Sequence, residues 1–226
     1  MGLFLYRNSC EIMYEQLIND INEQRTLKRY IKERDPYEIL KNLVVSLVSG
    51  ERVVLLDSDF SEEETRNLGL SAEELNEEIV LNKRKIDSFD ELLTNIQENN
   101  DNWEIVLYTS GTTGELKGVL HSHKNLCYGC TRSMKHYFNC GHVISSDTVL
   151  ICALPLSHIV EKCNTYYVGI SVGGLLGFSE VKSLAEDYQV IRPTGQMFVP
   201  RLLSRLLLGI ERRFTETEQG RKLWDW

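Results

Sequence analysis

No apolar run in the 226-residue chain reaches the ~18–20 residues that a bilayer-spanning helix needs. The longest candidate, residues 43–56, is broken by Gly50, Glu51 and Arg52. No basic stretch precedes an apolar one near residue 1, so a secretory leader is not expected. Tyr6 stands where a myristoylation pattern wants Ser or Thr. Six cysteines are too few for a disulfide scaffold in a chain of this length, and a reduced, cytosolic-side compartment is the expectation. No basic stripe is present, and nucleic acid is therefore not an expected partner. Internal repeats and low-complexity segments are lacking as well.

What is there is close to an average soluble protein: 42% apolar and 26% charged residues, which excludes global disorder. The length suits one domain of ordinary size, or one and a half small ones. The net charge of −8 is unevenly spread. Residues 1–100 carry 12 basic and 21 acidic side chains, against 13 and 12 in the remainder, and the excess gathers at Glu62–Glu64 and at Glu73, Glu74, Glu77 and Glu78. Such a run reads as a solvated surface segment.

The pattern predicts a helix over residues 8–34, from Ile12, Leu17, Ile18 and Ile21. Pro36 opens a second helix that stops at Gly50. Residues 52–57 read as a short buried strand ending in a carboxylate, and Ser88 caps a helix with Glu91 three residues on. From residue 103 the grammar becomes strand, loop, helix, repeated. Strands are expected at 103–109, 119–122, 148–154, 174–178 and 194–199, and helices at 124–137, 158–168 and 180–189 and from Pro200 onward. This alternation predicts an α/β fold, a layered and largely parallel sheet with flanking helices.

The strongest chemical signal is Tyr108-Thr109-Ser110-Gly111-Thr112-Thr113-Gly114-Glu115-Leu116-Lys117-Gly118. Its glycines allow positive φ and close approach of a ligand. Thr109, Ser110, Thr112 and Thr113 supply hydroxyls, and Lys117 supplies a cation at the far end. Successive backbone N–H groups in such a turn form an anion-binding concavity suited to phosphate oxygens. It is neither the Gly-x-x-x-x-Gly-Lys-Ser/Thr loop nor a Gly-x-Gly-x-x-Gly fingerprint.

This stretch resembles the signature loop of the adenylate-forming, AMP-binding superfamily. Ser110, Gly111, Thr112, Thr113, Gly114, Lys117 and Gly118 match its Thr-Ser-Gly-Thr-Thr-Gly-x-Pro-Lys-Gly pattern. Leu116 replaces the usual proline, which loosens the loop by about 0.5–1 kcal/mol of chain entropy but removes no donor. Leu154-Pro155-Leu156-Ser157-His158-Ile159-Val160-Glu161-Lys162 resembles a run of the long-chain fatty acyl-CoA synthetase branch, as do residues 192–194 and 198–203. The likeness covers roughly residues 50–215. Residues 1–49 are left as a helical segment of unassigned role, and residues 50–226 as part of the N-terminal adenylation domain without the small C-terminal domain.

The resemblance implies activation of a long-chain fatty acid by ATP, through an acyl-adenylate, and transfer to coenzyme A. It places Thr109, Ser110, Gly111, Thr112, Thr113, Gly114 and Lys117 on the ATP phosphates, with Lys117 and His158 as catalytic candidates. It also implies Mg2+, but the glutamate that holds magnesium in the family, the ribose-binding aspartate and the C-terminal lysine do not occur in this chain. Weak or no activity from these residues alone is therefore expected, and a non-catalytic nucleotide- or acyl-binding remnant is the alternative. The cytoplasm, or the cytosolic face of the endoplasmic reticulum or another membrane, is the expected location.

Several residues keep two readings. Cys127, Cys130, Cys140 and His142 have zinc-compatible spacing, against buried free thiols as the plainer account. His158 is a general base or a wall of the acyl pocket, and Glu161, one turn on, is its hydrogen-bond partner or a helix-surface carboxylate. Gly169, Gly173, Gly174 and Gly177 allow a tunnel, close packing or plain turns. The stripe Leu203, Leu206, Leu207, Ile210 and Phe214 is core, or with Arg201, Arg205, Arg212 and Arg213 a peripheral membrane surface.

Overall fold

A computed structural model describes residues 3–7, 10–98, 103–110, 116–163 and 168–224. The first part runs β1 (Leu3–Arg7), β2 (Cys10–Met13), α1 (Tyr14–Glu23), β3 (Thr26–Lys28), β4 (Tyr30–Ile31), α2 (Pro36–Ser49) and β5 (Val53–Leu55). Then come α3 (Glu62–Asn67), α4 (Ala72–Leu75), β6 (Glu78–Val80), α5 (Phe89–Glu98), β7 (Glu104–Ser110), β8 (Leu116–Ser122) and α6 (His123–Asn139). The last part holds β9 (Val149–Cys152), α7 (Ile159–Glu161), α8 (Val168–Ser171), β10 (Leu175–Phe178), α9 (Leu184–Ile191), β11 (Gly195–Gln196), α10 (Pro200–Thr215) and α11 (Glu218–Trp224).

Among the described residues the strands form three sheets: β11-β9-β10-β1-β2, β4-β5-β7-β8 and the ribbon β3-β6. Pairing is parallel except at β1–β2, β7–β8 and β3–β6, so the largely parallel layered fold is present.

Local chemistry explains most boundaries. Asp35 accepts from the Tyr37 amide at 2.8 Å, Pro36 occupies the first turn, and Gly50 at φ 69° closes α2 in the left-handed region. The acidic run becomes two short helices, each opened by a capping box, Ser61 with Glu64 and Ser71 with Glu74. At α5, Ser88 Oγ accepts from the Glu91 amide at 3.1 Å, while the Glu91 carboxylate reaches the Asp87 amide.

The continuous helix expected over 8–34 is not formed. It ends at Glu23, after burying Tyr14, Leu17 and Ile21. Beyond it, β3 pairs with β6 and β4 with β5, carrying Leu27 and Ile31 into the core. Their four-residue spacing suits one helical face or two short strands, and inter-strand pairing decides. Residues 3–49 thus contribute strands to all three sheets. The helix expected over 158–168 also differs: α7 and α8 are short, and residues 164–167 lie outside the described set.

The main core gathers α1, α2, α5 and the inner faces of both larger sheets. Trp103 is buried at its centre and donates from Nε1 to Ser46 Oγ at 2.9 Å, tying β7's start to α2. A smaller cluster of Ile151, Ala153, Leu184, Ile191 and Leu202 seats α9 and the start of α10. The rest of α10 differs from the core reading, because Leu203, Leu207, Ile210 and Phe214 stay exposed and Leu202 is the buried residue of the helix.

Candidate functional site

The glycine- and hydroxyl-rich segment joins β7 to β8 as an antiparallel hairpin. β7 alternates, with Ile105 and Leu107 buried, so Val106 and Tyr108 face the other way. Gly118 sits opposite Tyr108 because a Cβ there would meet Val106 Cγ1 at 3.0 Å and the Tyr108 ring at 3.3 Å. Thr109 pairs with Lys117 across the ladder at the mouth of the connection, and both are exposed. Among the described residues the Lys117 amine has no ion-pair or hydrogen-bond partner. Ser110 ends β7 in its main chain, while Gly111, Thr112, Thr113 and Gly114 lie outside the described residues.

β5 runs parallel to β7, with Leu55 opposite Leu107. Two residues further on, Asp57 therefore leaves the sheet level with Thr109. Phe60 packs edge-to-face on Tyr108, with ring centroids 6.5 Å apart, which holds segment 57–60 against the hairpin mouth. The turn after β9 comes to the same place. Ser157 Oγ donates to Asp57 Oδ2 at 2.7 Å, and His158 Nε2 lies 3.9 Å from the same oxygen. The structure thus brings His158 to the strand ends that carry Thr109 and Lys117, through an aspartate that sequence reasoning had read only as the end of a strand.

Beside this junction a crevice of about 760 Å³ opens at the carboxyl ends of β5, β9 and β10. Leu56, Ser157, Phe178 and Asp187 line it. Ligands of open parallel sheets occupy such a position. The cations at its rim are engaged, Arg34 with Asp59 at 3.1 Å and Lys182 with Glu180 at 2.7 Å.

Glu161 is fully buried, so it is not a helix-surface carboxylate. It stands by Cys152, whose thiol is pushed up by burial first and then by the Glu161 charge. Lys162 is also fully buried, without a hydrogen-bond partner at Nζ among the described residues, and burial lowers its amine to about 7. His121 on β8 is held below its ordinary value by burial and then by the charge of Lys162. Neither Asp57 nor Lys162 was marked as functional by the sequence. A carboxylate closing an apolar strand was the usable sign for Asp57; nothing local distinguishes Lys162 from a surface lysine.

The cysteine readings separate as well. Cys127 Sγ contacts His123 Nε2 at 3.4 Å and Cys140 Sγ contacts His136 Nε2 at 3.8 Å, each one helical turn back. Cys130 is buried and donates to the Cys163 carbonyl at 3.5 Å. Among the described residues no three His, Cys, Asp or Glu side chains gather where they could hold a metal ion. Three of the four glycines are packing positions: a Cβ would fall 2.4 Å from Leu176 at Gly169, 2.7 Å from the Thr148 carbonyl at Gly174, and 2.8 Å from Ile191 at Gly177, whereas Gly173, at φ 69° with nothing within 4 Å, is a turn.

A model of the family described as AMP-binding enzyme matches residues 27–223. Long chain acyl-CoA synthetase 5 of Arabidopsis thaliana is 35% identical over 112 residues, 49% of this chain and 17% of that protein. Long-chain-fatty-acid–CoA ligase 1 of Homo sapiens is 33% identical over 123 residues, 53% of this chain and 17% of that protein. Among solved structures, ATP-bound MatB from Rhodopseudomonas palustris superposes with a TM-score of 0.61 at 18% identity, over 91% of this chain and 48% of that one. O-succinylbenzoate coenzyme A synthetase from Bacillus subtilis, in complex with ATP and magnesium ion, gives a TM-score of 0.62 at 17% identity, over 91% and 48%. The matches thus span under a fifth of the length of these curated relatives and about half that of the solved structures.

Proposed function

The chain belongs to the AMP-binding enzyme family, and from that premise we propose that it carries the nucleotide-phosphate half of a long-chain fatty acid–CoA ligase site. The observation that supports this most is the β7–β8 hairpin, which holds Thr109 and Lys117, whose amine has no partner among the described residues, side by side at the mouth of the matching loop. In this reading residues 109–114 cradle the phosphates of ATP. Lys117 meets the negative charge that grows on the departing pyrophosphate as a fatty carboxylate attacks the α-phosphorus. His158, next to the crevice-lining Ser157, stands on the acyl side in this reading. Coenzyme A is the second acceptor, and the family's long-chain members give the substrate class.

The domain assignment belongs to the same proposal: residues 50–226 are the adenylation part, and residues 1–49 support its sheets. The site lies on the cytosolic side of the cell, at a membrane surface or free of one. Several transition-state donors of the family are not in this chain, and each is worth about 10²–10³ in rate. Little turnover is expected from these residues alone.

Titration calorimetry with ATP tests the loop. Lys117→Ala should weaken binding by roughly tenfold or more, since a charge-assisted hydrogen bond is worth about 1.5–3 kcal/mol. Equal binding by variant and parent would remove the role assigned to Lys117. Fatty-acid-dependent exchange of labelled pyrophosphate into ATP then separates ligase chemistry from nucleotide binding alone.

A further inference from the structure

We propose that Asp57 is the positioning residue for His158, clamping the turn that carries it and restraining its ring at the carboxyl end of β5. The inference rests on the reading of His158 as a residue of the ligase site.

The carboxylate comes from one sheet and its two partners from the other. Asp57 follows β5, and Ser157 and His158 follow β9, a hundred residues later. The Asp57 side chain is 13% exposed, and one oxygen, Oδ2, serves both contacts. Ser157 Oγ donates to it at 2.7 Å, a short and strong bond to a carboxylate. That bond fixes the main chain next to His158, whose own amide donates to Pro155 O at 3.0 Å. His158 precedes α7 but makes no side-chain cap to it, so its ring is not spent on the helix. The ring points instead to Asp57, with Nε2 3.9 Å from Oδ2, a gap that one water or a small ring rotation bridges.

The arrangement is not a nucleophile relay. The serine donates to the aspartate and not to the histidine, so the hydroxyl is engaged as a structural donor. What the carboxylate can do is restrict a ring that is otherwise 61% exposed, and hold it where β5 and β7 end side by side. Restriction of this kind matters for a residue beside a reacting centre, because misplacement by about 1 Å can cost on the order of 10² in rate.

The test uses the chain without nucleotide, so it stands apart from the ATP-binding test of Lys117. Carbon relaxation of the His158 ring Cε1–H, assigned with His158→Gln, reports how tightly the ring is held. A restricted ring, with an order parameter near about 0.8, is expected in the parent, and a fall below about 0.6 in Asp57→Asn. Asp57→Glu should restore order, and Ser157→Ala, which keeps the carboxylate, should lower it less than Asp57→Asn. The backbone amide spectrum should be retained in each variant. A mobile ring in the parent overturns the proposal without recourse to any variant. So does a ring whose order is unchanged by Asp57→Asn.

Discussion

Lys162 shows how burial sets a single residue's chemistry. Its amine is fully enclosed and lacks a hydrogen-bond acceptor among the described residues, so the charged form is disfavoured and the amine is lowered to about 7. Cys163 pulls the other way without cancelling the effect, and its own thiol is held below its ordinary value by a hydrogen bond with Cys130 first and then by Lys162. The unfolded lysine titrates near about 10.4. Between about 7 and that value the unfolded chain holds a proton that the folded chain does not, so this residue makes stability rise with pH across the window. Below about 7 both states are protonated and the cost of the buried charge is felt in full. Lys162→Met should therefore melt above the parent at pH 6.5, and the difference should shrink by pH 9.5. Thermal unfolding of both proteins at the two values checks it. A gap that stays constant between the two values would mean that Lys162 does not change its protonation in that window.

At the scale of the element, glycine separates positions that packing dictates from positions that it does not. Gly174 enters β10 with its amide bonded to Gly169 O at 2.9 Å, and a Cβ would fall 2.7 Å from the Thr148 carbonyl, which pairs with Leu175. Backbone cannot yield as a side chain tip does. Gly174→Ala should cost about 1–3 kcal/mol, lowering the melting temperature by about 2–4 °C for each kcal/mol in a protein of this size. Gly209, inside α10 with nothing within 4 Å, should behave oppositely, and Gly209→Ala should gain about 0.5–1 kcal/mol through helix propensity. Paired melting curves decide both signs. The same contrast explains what could be read in advance. Pro36, Gly50 and the Ser88–Glu91 pair mark boundaries by local chemistry, and those helices appear where their residues put them. The strands β3 and β4 have no such marks, because their partners β6 and β5 lie tens of residues away. The strands that flank the glycine- and hydroxyl-rich segment, 104–110 and 116–122, were legible from the apolar residues on either side of it. Asp57 was not, since its role comes from Ser157 and His158 arriving from another sheet.

At the scale of the whole molecule, the apolar contacts are unevenly shared, and so is the expected stability. α2 buries Ile39, Leu40, Leu43, Val45, Leu47 and Val48 in the main core and is tied to β7 through Ser46 and Trp103. α10 is of similar length, yet it is anchored by Leu202, while Leu203, Leu207, Leu208, Ile210 and Phe214 face outward. Four arginines, Arg201, Arg205, Arg212 and Arg213, lie on the same helix. Helices with few buried contacts open without unfolding of the whole, at a free energy well below the global one. Amide hydrogen exchange followed by mass spectrometry should therefore find α2 and β7 exchanging last, through global unfolding. Peptides covering residues 204–215 should exchange first among the long helices. Leu207→Ser should leave the melting temperature nearly unchanged, within about 0.5 kcal/mol, because the residue is already 55% exposed and gives up little buried surface. If α10 instead exchanged as slowly as α2, the exposed row would have to be covered in solution, and Leu207→Ser would then destabilise the protein by several times that amount.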